Sequence, residues 1–141
     1  MRTDYRRAIA ALPEELAALH DGLAAFLAEA GLAPRTVHAV QLVCDELVGN
    51  AVRHGARGRD GKAHRIEVEV TLGERIAVRI RDDLPLFDPT AAPALAPRAG
   101  RTLETAAVGG RGLGLVRRYA RAFRWHAEDG RNVVELEIEK S

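Results

Sequence analysis

The 141-residue chain has one cysteine, one tryptophan and only 4% aromatic residues. With a single thiol, Cys44, no internal disulfide can form, and its apolar helical surroundings suit a small buried side chain. So few aromatics leave little for stacking on nucleobases. Charge of one sign is also missing: 21 basic residues face 20 acidic ones, a net charge of +1. Bulk charge therefore gives no pull toward a polyanion, and the arginines in 53–65 and 117–124 read as solvated faces, so no direct nucleic-acid partner is expected. Long apolar runs are absent as well. MRTDYRRAIA is not a signal-like start and no later segment reaches membrane-spanning length, so the expectation is a cytoplasmic protein with no membrane partner.

What remains is ordinary globular composition, 47% apolar and 29% charged, read as one domain over residues 1–141 with a real core. Residues 4–10 suit a short first strand. Pro13, Glu14 and Glu15 open a helix that Gly31 closes, and Pro34 opens a second that runs to about His54, with Gly55 as its stop. The period then changes from 3.6 to 2. Ile66, Val68, Val70 and Leu72 alternate with polar residues, as do Ile76, Val78 and Ile80, around a hairpin turn with Gly73 first. A third helix follows the glycines at 109–114 and uses Leu115, Val116, Tyr119, Ala120 and Phe123. Strands at 124–128 and 132–139 pair across Asp129-Gly130. These elements predict an α+β fold: a two-layer sandwich of a mixed, mostly antiparallel sheet with helices on one face.

Three stretches carry chemistry. In DELVGNAVRHG, a projection at about 100° per residue puts Val43, Leu47, Val48 and Ala51 on a core arc. Glu46, Asn50 and Arg53 fall on the opposite side, with Gly49 beside them and His54 at the edge. Such an arc is ordinarily solvated. Gly49, however, costs about 1 kcal/mol against alanine inside a helix, a cost that makes sense where something approaches the backbone. A carboxylate and a carboxamide one turn apart offer hard oxygens of the kind Mg²⁺ prefers.

VGGRGLGLV places Gly109, Gly110, Gly112 and Gly114 at the opening of the third helix, where unpaired N–H groups and the dipole favour an anion, and Arg111 adds charge. In IAVRIRDD, Asp82 shares parity with Ile76, Val78 and Ile80, so it points to the helix side while Asp83 points away. A carboxylate there is either a strand-end cap before Pro85 or an acceptor for an exocyclic amine.

In this order the three stretches resemble the histidine-kinase-like ATPases of the Bergerat fold. Glu46 and Asn50 are similar to the family's N box, Asp82 in RDDLPLFDP to the G1 box, and Gly110, Gly112 and Gly114 to the G2 box. Residues 89–108 match the mobile ATP lid, which accounts for so long a loop. With about 45 residues before the N box, with FDP after G1, and with GGRGLGLVRRYA, the chain resembles the small branch of anti-sigma factor serine kinases.

The resemblance implies an ATP- and Mg²⁺-dependent protein serine/threonine kinase. It would bind a sigma factor and phosphorylate a serine of an anti-sigma-factor antagonist, and would sometimes form a homodimer. Glu46 would be the general base, Asn50 the Mg²⁺ ligand and Asp82 the reader of adenine. The amides of Gly110, Gly112 and Gly114 would receive phosphates, with Arg111, Arg53 and His54 near them. The alternative is a non-catalytic or weakly ATP-binding protein of the same fold that sequesters a sigma factor or other partner. Leu84 and Leu86 stand where the family's G1 pattern has glycines. Leucine at position 84 is strained if the turn needs φ > 0, or fills part of the pocket if the glycine serves to admit the base.

Overall fold

The computed structural model describes residues 2–58, 64–91 and 111–140. Strand β1 (Asp4–Ala10) leads through a 3₁₀ turn (Pro13–Glu15) into α1 (Leu16–Glu29) and then α2 (Pro34–Gly58). Strands β2 (Arg65–Leu72) and β3 (Arg75–Asp82) follow, then a 3₁₀ turn (Pro89–Ala91), helix α3 (Arg111–Tyr119), β4 (Ala120–Glu128) and β5 (Arg131–Glu139). The sheet order is β1-β2-β3-β5-β4. Among the described residues all four pairings are antiparallel, so the α+β sandwich holds with a sheet that is antiparallel there rather than mixed.

Period-2 alternation gives the sheet two unlike faces. The inner face meets the helices through rows such as Val68–Ile80–Val134–Trp125, with Val40, Val43, Leu47 and Val48 of α2 above. Fully burying one such side chain is worth about 1.5–3 kcal/mol. The outer face carries Arg6–Glu69–Arg79–Glu135–Arg124, alternating in sign across all five strands. Arg6 and Glu69 approach to 2.6 Å, but exposed pairs of this kind contribute at most about 1 kcal/mol. Stability therefore lies on the helix side. Cys44 is buried there, and burial pushes its thiol pKa up to about 12.

Across β2, β3 and β5 the inner rows are apolar until the last, which reads Ile9–Ile66–Asp82–Asn132–Ala127 with its edge strands included. That polar interruption at one end of the sheet positions the site.

Several boundaries differ from expectation. Helix α2 passes Gly55 and runs to Gly58. A glycine stops a helix through its left-handed conformation, and of the glycines among the described residues Gly31 and Gly130 alone are recorded with positive φ. For the same reason Gly73 is not the positive-φ residue of its hairpin. Its N–H instead bonds Arg75 O at 3.1 Å. Asp129 (φ 52) and Gly130 (φ 75) do form the expected turn with two left-handed residues.

Helix α3 ends at Tyr119, so Ala120 and Phe123 belong to β4, which starts well before position 124. Ala120 pairs with Ile138, and a bulge between Arg121 and Arg124, with Ala122 at φ 51, re-aims the strand. Short apolar runs fit both periods, and pairing to β5 decided between them.

Candidate functional site

At the polar end of the sheet, α2 and the turn after β3 enclose a narrow cleft. Asn50 and His54 enter it from α2, Asp82 and Leu84 from β3 and the following turn, and Asn132 from β5. Its walls are otherwise apolar, from Leu47, Ala51, Ile80 and Val134. The space open to water centres is about 40 Å³. One buried water needs about 10–15 Å³ by that measure, so the cleft holds a few waters as it stands.

Asn50 is only 9% exposed, yet its amide takes no side-chain hydrogen bond among the described residues. Buried amides are normally paired, and one left open onto a cleft is poised for a ligand. Glu46 lies one helical turn earlier and is half-buried, but it does not line the cleft. Arg53 is exposed and folds back along its own helix, with Nη1 at 3.4 Å from where a Cβ on Gly49 would stand. That is an ordinary contact with the end of a flexible side chain, so Arg53 does not account for the glycine at position 49. The His54 ring packs on Phe87 with centroids 4.4 Å apart, joining α2 to the turn after β3.

Asp82 keeps to the inner face as its parity requires. Its Oδ1 accepts the Leu84 N–H at 3.1 Å and Asn132 Nδ2 at 2.8 Å, which leaves Oδ2 for a ligand. Burial raises the Asp82 pKa above the ordinary carboxylate value. The hydrogen bonds from Asn132 and Leu84 work against this, Asp83 adds to it, and His64 opposes it. Asp83 points away, as expected, and accepts the Arg65 N–H at 2.9 Å with His64 Nδ1 at 3.2 Å.

Leu84 is 3% exposed and does not adopt positive φ. Of the two consequences expected for a leucine there, the strain of a positive φ is absent, and the buried side chain lines the cleft. Leu86 points out of the fold, at 53% exposure.

Gly110 lies outside the described residues, as does the proposed lid beyond Ala91. Arg111, Gly112 and Gly114 fall in the first four residues of α3, where backbone N–H groups have no partner within the helix. Gly114 is exposed, with open space where a Cβ would be. A tie brings α3 to the site: Arg117 Nη2 donates to Thr90 O at 2.6 Å, beside Pro89, which lines the cleft.

The sequence reading missed Asn132. It is 4% exposed and holds five contacts: one to Asp82 at the end of β3, three in the turn that follows and one on β4. Its parity with Val134, Leu136 and Ile138 was the available signal: an amide on a core-facing position must find partners.

The lining chemistry suits a purine nucleotide. Apolar walls fit a flat ring, Asp82 Oδ2 fits an exocyclic amine, and Asn50 offers an oxygen toward a metal-bound phosphate chain, whereas Gly114 of α3 does not line the cleft. Among the described residues no three metal-ligating side chains converge, so any divalent ion would rest on Asn50 and on the phosphates themselves.

Comparison with known proteins agrees. The chain is 33% identical over 95 residues to the serine/threonine-protein kinase BtrW of Bordetella bronchiseptica (strain ATCC BAA-588 / NCTC 13252 / RB50). That match covers 67% of this chain and 65% of BtrW, a little under two thirds of the relative's length. The model of the histidine kinase-like ATPase domain matches residues 9–138. The chain belongs to the histidine kinase-like ATPase domain family.

Proposed function

We propose that this protein is an ATP-dependent serine protein kinase that acts as an anti-sigma factor, binding a sigma factor and phosphorylating an antagonist protein. One observation carries the nucleotide part. Asn50 from α2 and Asp82 from β3 open onto one cleft, each with an oxygen not taken by protein among the described residues. The kinase part is supported by the name of the relative BtrW and by Glu46 one turn from Asn50.

In this reading Asp82 Oδ2 accepts the amino group of adenine, and the N–H groups of Gly112 and Gly114 receive phosphate oxygens. Asn50 supplies an oxygen to Mg²⁺, which would neutralise phosphate charge. Arg53, His54 and Arg111 stand near the phosphate path. Glu46 takes the proton of the acceptor serine as the serine oxygen bonds to the γ-phosphorus. The bond from that phosphorus to the β-phosphate oxygen breaks, and ADP leaves with the electron pair.

A second reading is favoured by Leu84. Its buried side chain takes space a base would need, so a weakly binding or non-catalytic protein that sequesters its partner fits the narrow cleft. Calorimetry with Mg-ATP, followed by transfer of labelled γ-phosphate to antagonist proteins of the source cell, separates the two. Heat and label together support the kinase; neither leaves the sequestering protein.

A further inference from the structure

Asn132 makes more contacts than a structural filler at a strand start requires. Trp125 Nε1 and the Phe87 N–H can only donate, and both point at Asn132 Oδ1, at 2.8 and 2.9 Å. On the other side Asp82 Oδ1, Leu84 O and Pro85 O can only accept, and all three face Nδ2, at 2.8, 3.3 and 3.2 Å. The carboxamide therefore has one orientation, fixed by its neighbours. It pins the turn that forms one wall of the cleft, and it occupies the Asp82 oxygen that Leu84 N–H also occupies. Any ligand group then meets Asp82 through Oδ2 alone.

We propose that Asn132 is the positioning residue of the base pocket, holding Asp82 so that Oδ2 is presented as a pure acceptor that selects an amino-bearing purine over an oxo-bearing one. This rests on the nucleotide reading given above. An acceptor at Oδ2 matches the amino group of adenine and opposes the carbonyl oxygen of guanine, whereas a protonated Oδ2 would reverse that preference. Losing the Asn132 donor removes one of the two bonds that stabilise the anion, so Asp82 would ionise at higher pH.

The charged and titratable groups around Asp82 are His54 on α2, His64 and Arg65 at the start of β2, Arg81 and Asp83 beside it, and Arg131 on β5. A comparison of wild type with a variant at position 132 leaves all six in place. Asn132→Asp is the informative change. It is nearly isosteric and still accepts from Trp125 and Phe87, but it sets an acceptor against Asp82 Oδ1, and two such carboxyls share a proton.

The experiment measures ATP and GTP binding by calorimetry from pH 5.5 to 8.5, together with carbon-13 titration of the Asp82 carboxyl. In N132D the Asp82 midpoint should move up by more than about one unit. Below the shifted midpoint ATP affinity should fall at least about tenfold relative to wild type at the same pH, and the ATP-to-GTP ratio should collapse toward one. Wild-type binding of ATP with an N132D midpoint and nucleotide ratio unchanged would overturn the role of Asn132 alone. Wild-type protein that binds neither nucleotide overturns the nucleotide reading, and base selection with it. Should N132D fold poorly, Asn132→Ser, which keeps a shorter donor, must recover part of the ATP preference; a variant that folds and behaves as N132D counts against positioning by the donor.

Discussion

Arg117 of α3 and Thr90 of the turn after β3 are joined by a 2.6 Å hydrogen bond from guanidinium Nη2 to carbonyl oxygen. The two residues are 27 positions apart, and the bond clasps the last turn of α3 to the lip of the cleft at Pro89. A hydrogen bond from a charged group is worth about 1.5–3 kcal/mol. Arg117→Ala should lose about that much stability in denaturant unfolding and weaken Mg-ATP several-fold in calorimetry. If affinity stays level while stability falls, the clasp does not shape the cleft.

Glu46 is half-buried, off the cleft and one turn from Asn50; as the proposed general base it would meet the acceptor rather than the nucleotide. Glu46→Ala should keep nucleotide affinity within about twofold and lower phosphotransfer by roughly 10²–10⁴. Phosphorylation of the antagonist at the wild-type rate would remove Glu46 from the mechanism.

Leu84 contributes to the fold what it takes from the cleft. Leu84→Gly should destabilise the protein by about 3 kcal/mol, within the range for deleting a buried leucine side chain, while ATP binds more tightly. A drop in melting temperature without a gain in affinity would show that the leucine does not limit the pocket.

Tyr5 and Gly22 form a matched pair in the core. The Tyr5 hydroxyl is buried without a hydrogen-bond partner among the described residues, and a Cβ on Gly22 would come within 2.6 Å of it. Tyr5→Phe should be neutral or slightly stabilising, since no bond is lost. Gly22→Ala should destabilise the wild type through that clash. In the Tyr5→Phe background it should instead stabilise by up to about 1 kcal/mol through helix propensity. Equal effects in both backgrounds, read from unfolding curves, would reject the clash.

His20 and Asp45 link α1 to α2, with Nδ1 at 3.0 Å from both carboxylate oxygens. The hydrogen bond and then the charge of Asp45 raise the His20 pKa above 6.5, with partial burial opposing and Asp21 adding a little. Because the folded value is the higher one, the stabilisation is fully present below pH 6.5 and is lost as pH rises through the raised folded value. Both side chains are about half exposed, so the effect is at most about 1 kcal/mol. Stability measured from pH 5 to 8 should decline less in Asp45→Asn than in wild type, and parallel curves would exclude this pair as the source.

Local pattern made much of the fold legible. The alternation at 66–72 and 76–82 depends only on neighbours in the chain, and so did the two-left-handed turn at Asp129-Gly130. Parity alone assigned Asp82 to the helix side. The end of α3 was not legible, because Ala120 and Phe123 satisfy a helix and a strand equally until β5 is beside them. The stop at Gly55 failed for a related reason: a glycine permits a left-handed turn without imposing one.

By itself the sequence determined which residue types stand on which face: an acid and an amide along one helix, an aspartate at the end of an apolar strand face, and glycines opening another helix. These are consequences of periods of 3.6 and 2, which any stretch carries within itself. Only the tertiary structure decided that Asn50, Asp82 and Asn132 share one cleft, that Leu84 narrows it, and that Asn132 fixes the Asp82 carboxylate. Those relations depend on strand register and on side chains 32 to 82 positions apart, and such contacts exist only once the chain has closed around its core.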